Sequence, residues 1–286
     1  MGEYRVAGIP IRLSYPPSGF LDGRIDAYRL PDGSPVDYEI EAEIVSNIIL
    51  PSTGPSIVFG RNRLYETAEG TELYVLSEDG TYVKQAQLVA RDYRASRILL
   101  DERYGDRMSE IVYLSTGQCF LDVALKEGLL PLHAAAVACK GEAILFSAPS
   151  RTGKSTHANL WKTYAEDVAI LNDDKPLISL RDGRLVVHGT PWAGKNAEHE
   201  NASYPLRAIV FLAQDEVVRT VEMSEAEKLR ELYRNSYRPR DGRLVENAAT
   251  TIAAILKEAD LFELRADMTK HTFDIVYERI YGGASK

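Results

Sequence analysis

The run Phe146-Ser-Ala-Pro-Ser-Arg-Thr-Gly-Lys-Ser-Thr-His157 carries the residue types that grip phosphate. A mostly apolar stretch, Glu142 to Ser147, reads as the strand before it. A segment from about Lys154 through Trp161 reads as the helix after it. In a loop so placed, backbone N–H groups curl around phosphate oxygens and the helix dipole favours the negative charge. Lys154 would reach the β- and γ-phosphates, and the Ser155 hydroxyl would sit on a magnesium ion. Ala148, Ser150, Arg151, Thr152, Gly153, Lys154, Ser155 and Thr156 are the expected nucleotide contacts. Ala148 stands where the usual spacing has a first glycine. Its Cβ disfavours φ > 0, so a differently shaped or slightly wider turn is expected. The plainer alternative is an ordinary strand-to-helix turn with a surface lysine.

A second group follows about twenty residues on, in Ile170-Leu-Asn-Asp-Asp-Lys175. Neighbouring side chains on a strand point to opposite faces, but a bend at the strand end can turn Asp173 and Asp174 to one ligand. One acid can hold the metal and the other can accept the proton of an attacking hydroxyl. Phosphoryl transfer needs little else beyond positioned phosphates. His133 lies in the apolar run Leu130 to Val137, just upstream of the strand that feeds the loop. A histidine there is commonly a satisfied core residue, yet an adjacent strand would bring it to the γ-phosphate or metal. In His188-Gly-Thr-Pro-Trp-Ala-Gly-Lys195, Lys195 would stabilise charge on the transferred group and Trp192 would line the acceptor cleft, the plainer alternative being a surface loop with a packed Trp. His157 reads as helix surface, His188 and His199 as groups behind the site, and His271 as structural. The basic turn Arg238-Pro-Arg-Asp-Gly-Arg243 reads as a solvated turn, with attraction of an acidic partner as the alternative.

These residues need elements to hold them. Before about residue 109, short β-rich segments (Arg5–Leu13, Tyr38–Leu50, Glu72–Leu76, Tyr82–Val89, Arg97–Leu100) alternate with turn chemistry such as Pro31-Asp-Gly and Glu78-Asp-Gly. That pattern predicts a mainly antiparallel β-rich domain over residues 1–108. Ser109 to Glu127 reads as a connecting segment, helical in its second half. Residues 109–286 read as the nucleotide-binding catalytic domain. It should hold a strand Pro131–Cys139, the loop strand, and a helix to about Ala165. A strand Val168–Leu171, a hairpin through Arg181-Asp-Gly-Arg184 and a strand Ala208–Leu212 follow. Helices Ser224–Asn235, Leu244–Glu258 and Met268–Ile280 close the chain. Ser224-Glu-Ala-Glu227 is a capping-box pattern. The fold class expected is α/β, α+β overall.

Together, His133, then Ala148-Pro-Ser-Arg-Thr-Gly-Lys-Ser155, then Asp173-Asp174 resemble the HPr kinase/phosphorylase and phosphoenolpyruvate carboxykinase P-loop superfamily. There a His-containing strand precedes a Gly-x-Ser-Gly-x-Gly-Lys-Ser/Thr loop and an apolar strand ending in Asp-Asp. The resemblance covers roughly residues 129–180 and weakens to about residue 280. The whole chain looks most like the HPr-kinase-like proteins of bacteria, some of which accompany peptide-modification systems. The resemblance implies a phosphoenolpyruvate-carboxykinase-like P-loop domain. It implies Lys154 on the β/γ-phosphates, Ser155 on the magnesium, Asp173 as general base, Asp174 as a metal-site acid and His133 near the transferred phosphoryl group. Arg151 stands where that family has a loop glycine, and no Glu-Ile-Arg-Gly-like run follows the aspartate pair.

The chain is 45% hydrophobic and 27% charged, and no apolar run approaches the roughly 20 residues that cross a bilayer. Cys119 and Cys139 form no disulfide framework or metal pattern. The N-terminus lacks a signal-peptide core, so a cytoplasmic location is expected. A net charge of −8 argues against general nucleic-acid affinity. The expectation is an ATP- and Mg2+-dependent kinase, a transferase moving the γ-phosphoryl group to a hydroxyl, Ser on a small protein or peptide. The alternatives are a small-molecule phosphotransferase of carboxykinase type and a non-catalytic nucleotide-binding module. No membrane or nucleic-acid partner is expected, and homo-oligomerisation is left open.

Overall fold

Ala7 and Gly8 both take positive φ, 52° and 85°, and fold the first apolar run back on itself. The single strand expected over Arg5–Leu13 is therefore a hairpin, β1 (Gly2–Val6) and β2 (Ile9–Ser14). The computed structural model describes residues 1–149, 152–194, 196–239 and 241–282. It divides into two units, Met1–Lys126 and Glu127–Lys286.

In the first unit a short helix, α1 (Asp22–Ile25), leads to β3 (Tyr38–Val45). Then come β4 (Ile57–Phe59), β5 (Asn62–Glu66), β6 (Gly70–Leu76), β7 (Val83–Ala90) and β8 (Ala95–Asp101). They form one eight-stranded sheet in the order β1-β2-β3-β8-β7-β6-β5-β4. Only the β2–β3 and β3–β8 pairings are parallel. The helix α2 (Met108–Lys126) packs on β3 and β8. Residues 109–126, expected to open the second domain, thus group with the first unit. The physical reason is that Val112, Phe120, Val123, Ala124 and Leu125 are fully buried, and such a helix belongs with the sheet it covers.

The second unit begins with β9 (Leu130–Pro131), β10 (Ala134–Cys139) and β11 (Glu142–Ser147). The strand expected over Pro131–Cys139 is split at Leu132–His133. Helix α3 (Lys154–Tyr164) follows the phosphate-type loop, and β12 (Ala169–Asn172), β13 (Leu177–Arg181) and β14 (Arg184–His188) come next. Then β15 (Ser203–Gln214), β16 (Arg219–Glu222), α4 (Glu225–Asn235), α5 (Val245–Glu258), β17 (Asp260–Ala266) and α6 (Lys270–Tyr281) complete it. The nine strands share one sheet that branches at β15. One arm runs β12-β10-β11-β15-β17-β16 and the other β15-β14-β13-β9. β11, β15 and β17 are parallel, so their carboxyl ends share the edge where the loop leaves β11. Under α3 and α6 lies an apolar cluster containing Phe146, Trp161, Phe262 and Phe273, with Trp161 edge-on to Phe273 at 5.4 Å. α5 packs on β9, β13 and β14. No helix among the described residues is long and apolar enough to cross a membrane.

Candidate functional site

Gly153 caps the start of α3 with φ 99°. It is the one described loop position that needs the left-handed region, and this explains its residue type. Ala148 is not left-handed. It is buried, and its methyl joins the apolar cluster under α3, so an alanine fits where the usual spacing has glycine. Ser150 and Arg151 lie outside the described residues. Thr152 is half-buried beside Gly153, and Thr156 is exposed on the first turn of α3.

Lys154 is only 8% exposed. Its Nζ donates to the carbonyls of Ala148 (3.1 Å) and Pro149 (3.3 Å) and lies 3.0 Å from His133 Nε2. Burial pulls its pKa below the ordinary lysine value, against the opposing pull of Asp174 and Asp173. His133 sits in the gap between β9 and β10, where its backbone N–H bonds Asn235 rather than the sheet. Its Nδ1 lies 3.0 Å from Asp174 Oδ1. Burial pushes the Asp174 carboxyl up, but the His133 hydrogen bond and the Lys175 charge outweigh it and hold the group at about 2. An ionised carboxylate only accepts, so Nδ1 carries the proton, and Nε2 is left to accept from the Lys154 ammonium. Lys154, His133 and Asp174 thus form one continuous chain.

Asp173 differs. Burial raises its pKa, despite hydrogen bonding from Ser155 and Asn196. Asn196 Nδ2 donates to Oδ2 at 2.6 Å. The buried Oδ1 has no hydrogen-bond partner by geometry among the described residues. Asp174, expected to hold a metal with Ser155, has its two oxygens against His133 and against Lys175 Nζ (2.7 Å). The unsatisfied oxygen belongs to Asp173, the acid whose carboxyl Ser155 also influences. A buried orphan acceptor costs free energy unless something fills it, and a hard cation takes oxygen ligands of this kind. The residues therefore fit a magnesium ion. No group of three or more His, Cys, Asp or Glu suited to a metal occurs among the described residues. A phosphate-bound magnesium does not need one, since it keeps waters and phosphate oxygens as ligands.

Over residues 106–236 the chain is similar to the family described as SynChlorMet cassette protein ScmC. That segment contains His133, Gly153 to Ser155 and both aspartates. No curated protein matches the chain. Among solved structures, the HPr(Ser) kinase/phosphatase from Coxiella burnetii aligns at 10% identity, covering 52% of this chain and 95% of that one, with a TM-score of 0.29. So low a score carries no functional weight, which leaves the site's own geometry to do so.

Several positions in the site give only faint sequence signals. Asn172 is fully buried and uses its whole amide. Nδ2 donates to Thr190 O and Oγ1, both 3.0 Å, while Oδ1 accepts from the N–H groups of Asp174 (2.9 Å) and Lys175 (2.7 Å). This Asx-type turn bends the chain after β12 and places the two acids. An asparagine ending an apolar strand ahead of Asp-Asp was the available signal. Lys195 lies outside the described residues. Its neighbour Gly194 has φ 65°, and a Cβ there would stand 3.1 Å from Asp174 Cβ. Trp192 is buried, 5% exposed, so it packs in the core and does not line a cleft.

Of the other histidines, His157 and His271 are placed otherwise than expected. His157 is buried, not on the helix surface, because it shares the sheet-facing side of α3 with Ala158 and Trp161. It stacks on Phe146 at 5.9 Å, and burial lowers its pKa to about 4. His188 is pinned between the hydroxyls of Ser179 (2.8 Å) and Ser203 (2.7 Å). His199 bridges to Asn172, and His271 is exposed on α6.

Proposed function

We propose that the second unit, Glu127–Lys286, is an ATP- and Mg2+-dependent phosphotransferase of the P-loop kinase type, acting on a hydroxyl acceptor. The observation that carries this reading is the continuous chain Lys154–His133–Asp174 at the mouth of the loop, with an unsatisfied oxygen on the adjacent Asp173. The order of a histidine just ahead of β10, the loop after β11 and the acid pair after β12, all strands of one sheet, supports a phosphoenolpyruvate-carboxykinase-like architecture.

In this reading Lys154 binds the β- and γ-phosphates, and Ser155 with Asp173 holds the ion. When bound, magnesium supplies charge neutralisation on the phosphate oxygens. Asp173 takes the acceptor's proton, because it keeps an oxygen without a hydrogen-bond partner while both Asp174 oxygens are engaged by His133 and Lys175. Asp174, held at about 2, is too weak a base and instead fixes the His133 ring. The acceptor oxygen forms a bond to the γ-phosphorus as the bond to the β-phosphate oxygen breaks. ADP and the phosphorylated hydroxyl are the products, and the released proton goes to Asp173. Lys195 belongs to the same proposal as a cation near the transferred group.

The direct test is titration of a fluorescent ATP analogue into the wild type and Lys154→Ala. Tight, magnesium-dependent binding is expected in the first and its loss, at least tenfold, in the second. A folded variant with unchanged affinity overturns the reading.

A further inference from the structure

A cleft of about 450 Å³ opens beside His133 and Pro149 and is walled on its far side by the chain that leaves α4. Its size is that of a small-molecule site. Among the described residues three basic side chains line it, Lys175, Arg234 and Arg238, and no carboxylate does. On a chain of net charge −8 this is a local reversal of sign. Lys175 is partly neutralised by Asp174 at 2.7 Å. Arg234 lies 3.8 Å from Glu231, and the last turn of a helix favours a cation in any case. Arg238 has no such excuse. It lies beyond the helix, where its contacts are the Arg234 carbonyl (3.4 Å) and the Tyr233 ring.

The wall is tied to the catalytic side. Leu132 bridges to Ser236, the His133 N–H donates to Asn235 O (2.8 Å) and the Tyr237 N–H donates to Pro131 O (2.9 Å). The arginines are thus held at fixed offset from His133, itself 3.0 Å from Lys154. A ligand in the cleft has the phosphate loop at one end and guanidinium donors at the other.

We propose that this cleft is the acceptor site and that the acceptor is a hydroxyl compound bearing a carboxylate, seated on Arg234 and Arg238. Guanidinium groups match carboxylates through paired N–H donors. The inference rests on the phosphotransferase reading and names its substrate class. A free hydroxy acid and a serine flanked by acidic residues in a peptide share this chemistry.

Malonate is the probe, since it carries carboxylates and no hydroxyl to phosphorylate. Calorimetric titration into the full chain should give saturable binding, weakened at least tenfold in Arg234→Gln/Arg238→Gln and only partly restored in Arg234→Lys/Arg238→Lys, which keep the charge and lose the paired donors. Both arginines are exposed, so folding should survive. A non-hydrolysable ATP analogue is titrated into the same proteins. If the wild type binds nucleotide but no malonate, or the glutamine variant binds malonate as the wild type does, the acceptor cleft is overturned and the nucleotide reading stands. If the wild type binds malonate but no nucleotide, the acceptor role falls with the reading it rests on. Phosphoryl transfer to free L-serine, compared with a serine peptide rich in Asp and Glu, separates the two sources. For whichever is used, the glutamine variant should raise KM at least tenfold with kcat within about threefold. A fall in kcat at unchanged KM overturns the proposal.

Discussion

Two adjacent carboxylates in one turn meet different surroundings here. Asp174 is compensated by a histidine and a lysine. Asp173 is buried with one oxygen unfilled. Asp173→Asn is therefore expected to cut transfer at least a hundredfold and to raise the magnesium requirement, as removal of a base and metal-side oxygen should. Asp174→Asn should leave the magnesium requirement within about threefold while lowering kcat, because it releases the His133 ring rather than the ion. Magnesium titrations of both variants decide the assignment, and exchanged phenotypes mean that the two roles are reversed. The loop residues, His133 and the aspartate pair were all legible as residue types. The difference between the surroundings of the two acids was not, since it depends on Lys175 folding back on Asp174 and on Asn196 arriving from a loop more than twenty residues on.

At the scale of elements, the phosphate end of the site is a local construction and the acid end is not. β11, Gly153 and α3 follow one another in the chain, so apolar patterning and a lone positive-φ glycine suffice to read them. The capping box at Ser224 and Glu227 was similarly readable, because both partners lie within one turn. The edge strands β4 and β16, and β5 beside the first of them, were missed. So was β17, a β-sheet neighbour defined by pairing with β15 and β16 from elsewhere in the chain. The acid end depends on Asn172 and Gly189. Asn172→Ala removes four hydrogen bonds and strands the Asp174 and Lys175 N–H groups, and is expected to cost about 4 kcal/mol, at about 1 kcal/mol per lost bond. Urea denaturation measures this, and a loss under about 0.5 kcal/mol would deny the turn its role. At Gly189 a Cβ would sit 1.9 Å from Glu200 O and 2.6 Å from Leu171 O, both backbone atoms that cannot swing away. Gly189→Ala should therefore destabilise by about 1–3 kcal/mol or more through overpacking. It should also weaken metal-dependent activity by shifting β12. A neutral result in the same denaturation series counts against that close approach.

For the whole molecule, acid is the revealing stress. His188 is buried between two hydroxyls, and burial, with Arg181 nearby, lowers its pKa from 6.5 to about 4. The unfolded chain protonates this ring below about 6.5 while the folded chain resists until about 4. Its contribution is complete above 6.5, shrinks as pH falls through that window, and amounts to up to about 3 kcal/mol. His188→Gln should show a smaller loss of stability between pH 7 and pH 4.5 than the wild type in urea unfolding. Parallel pH profiles would mean that the ring does not titrate differently on folding. β15 has a further consequence. One half of it borders β14 and the other borders β11 and β17, with Ser203 opposite His188 and Phe211 opposite Ser147. It is the common ruler of both arms, so a register slip anywhere along it would move phosphate loop and acid turn together. The amides of Ile209 and Val210 should exchange with solvent only when the whole unit opens, and partial unfolding that spares one half of the site should have no route.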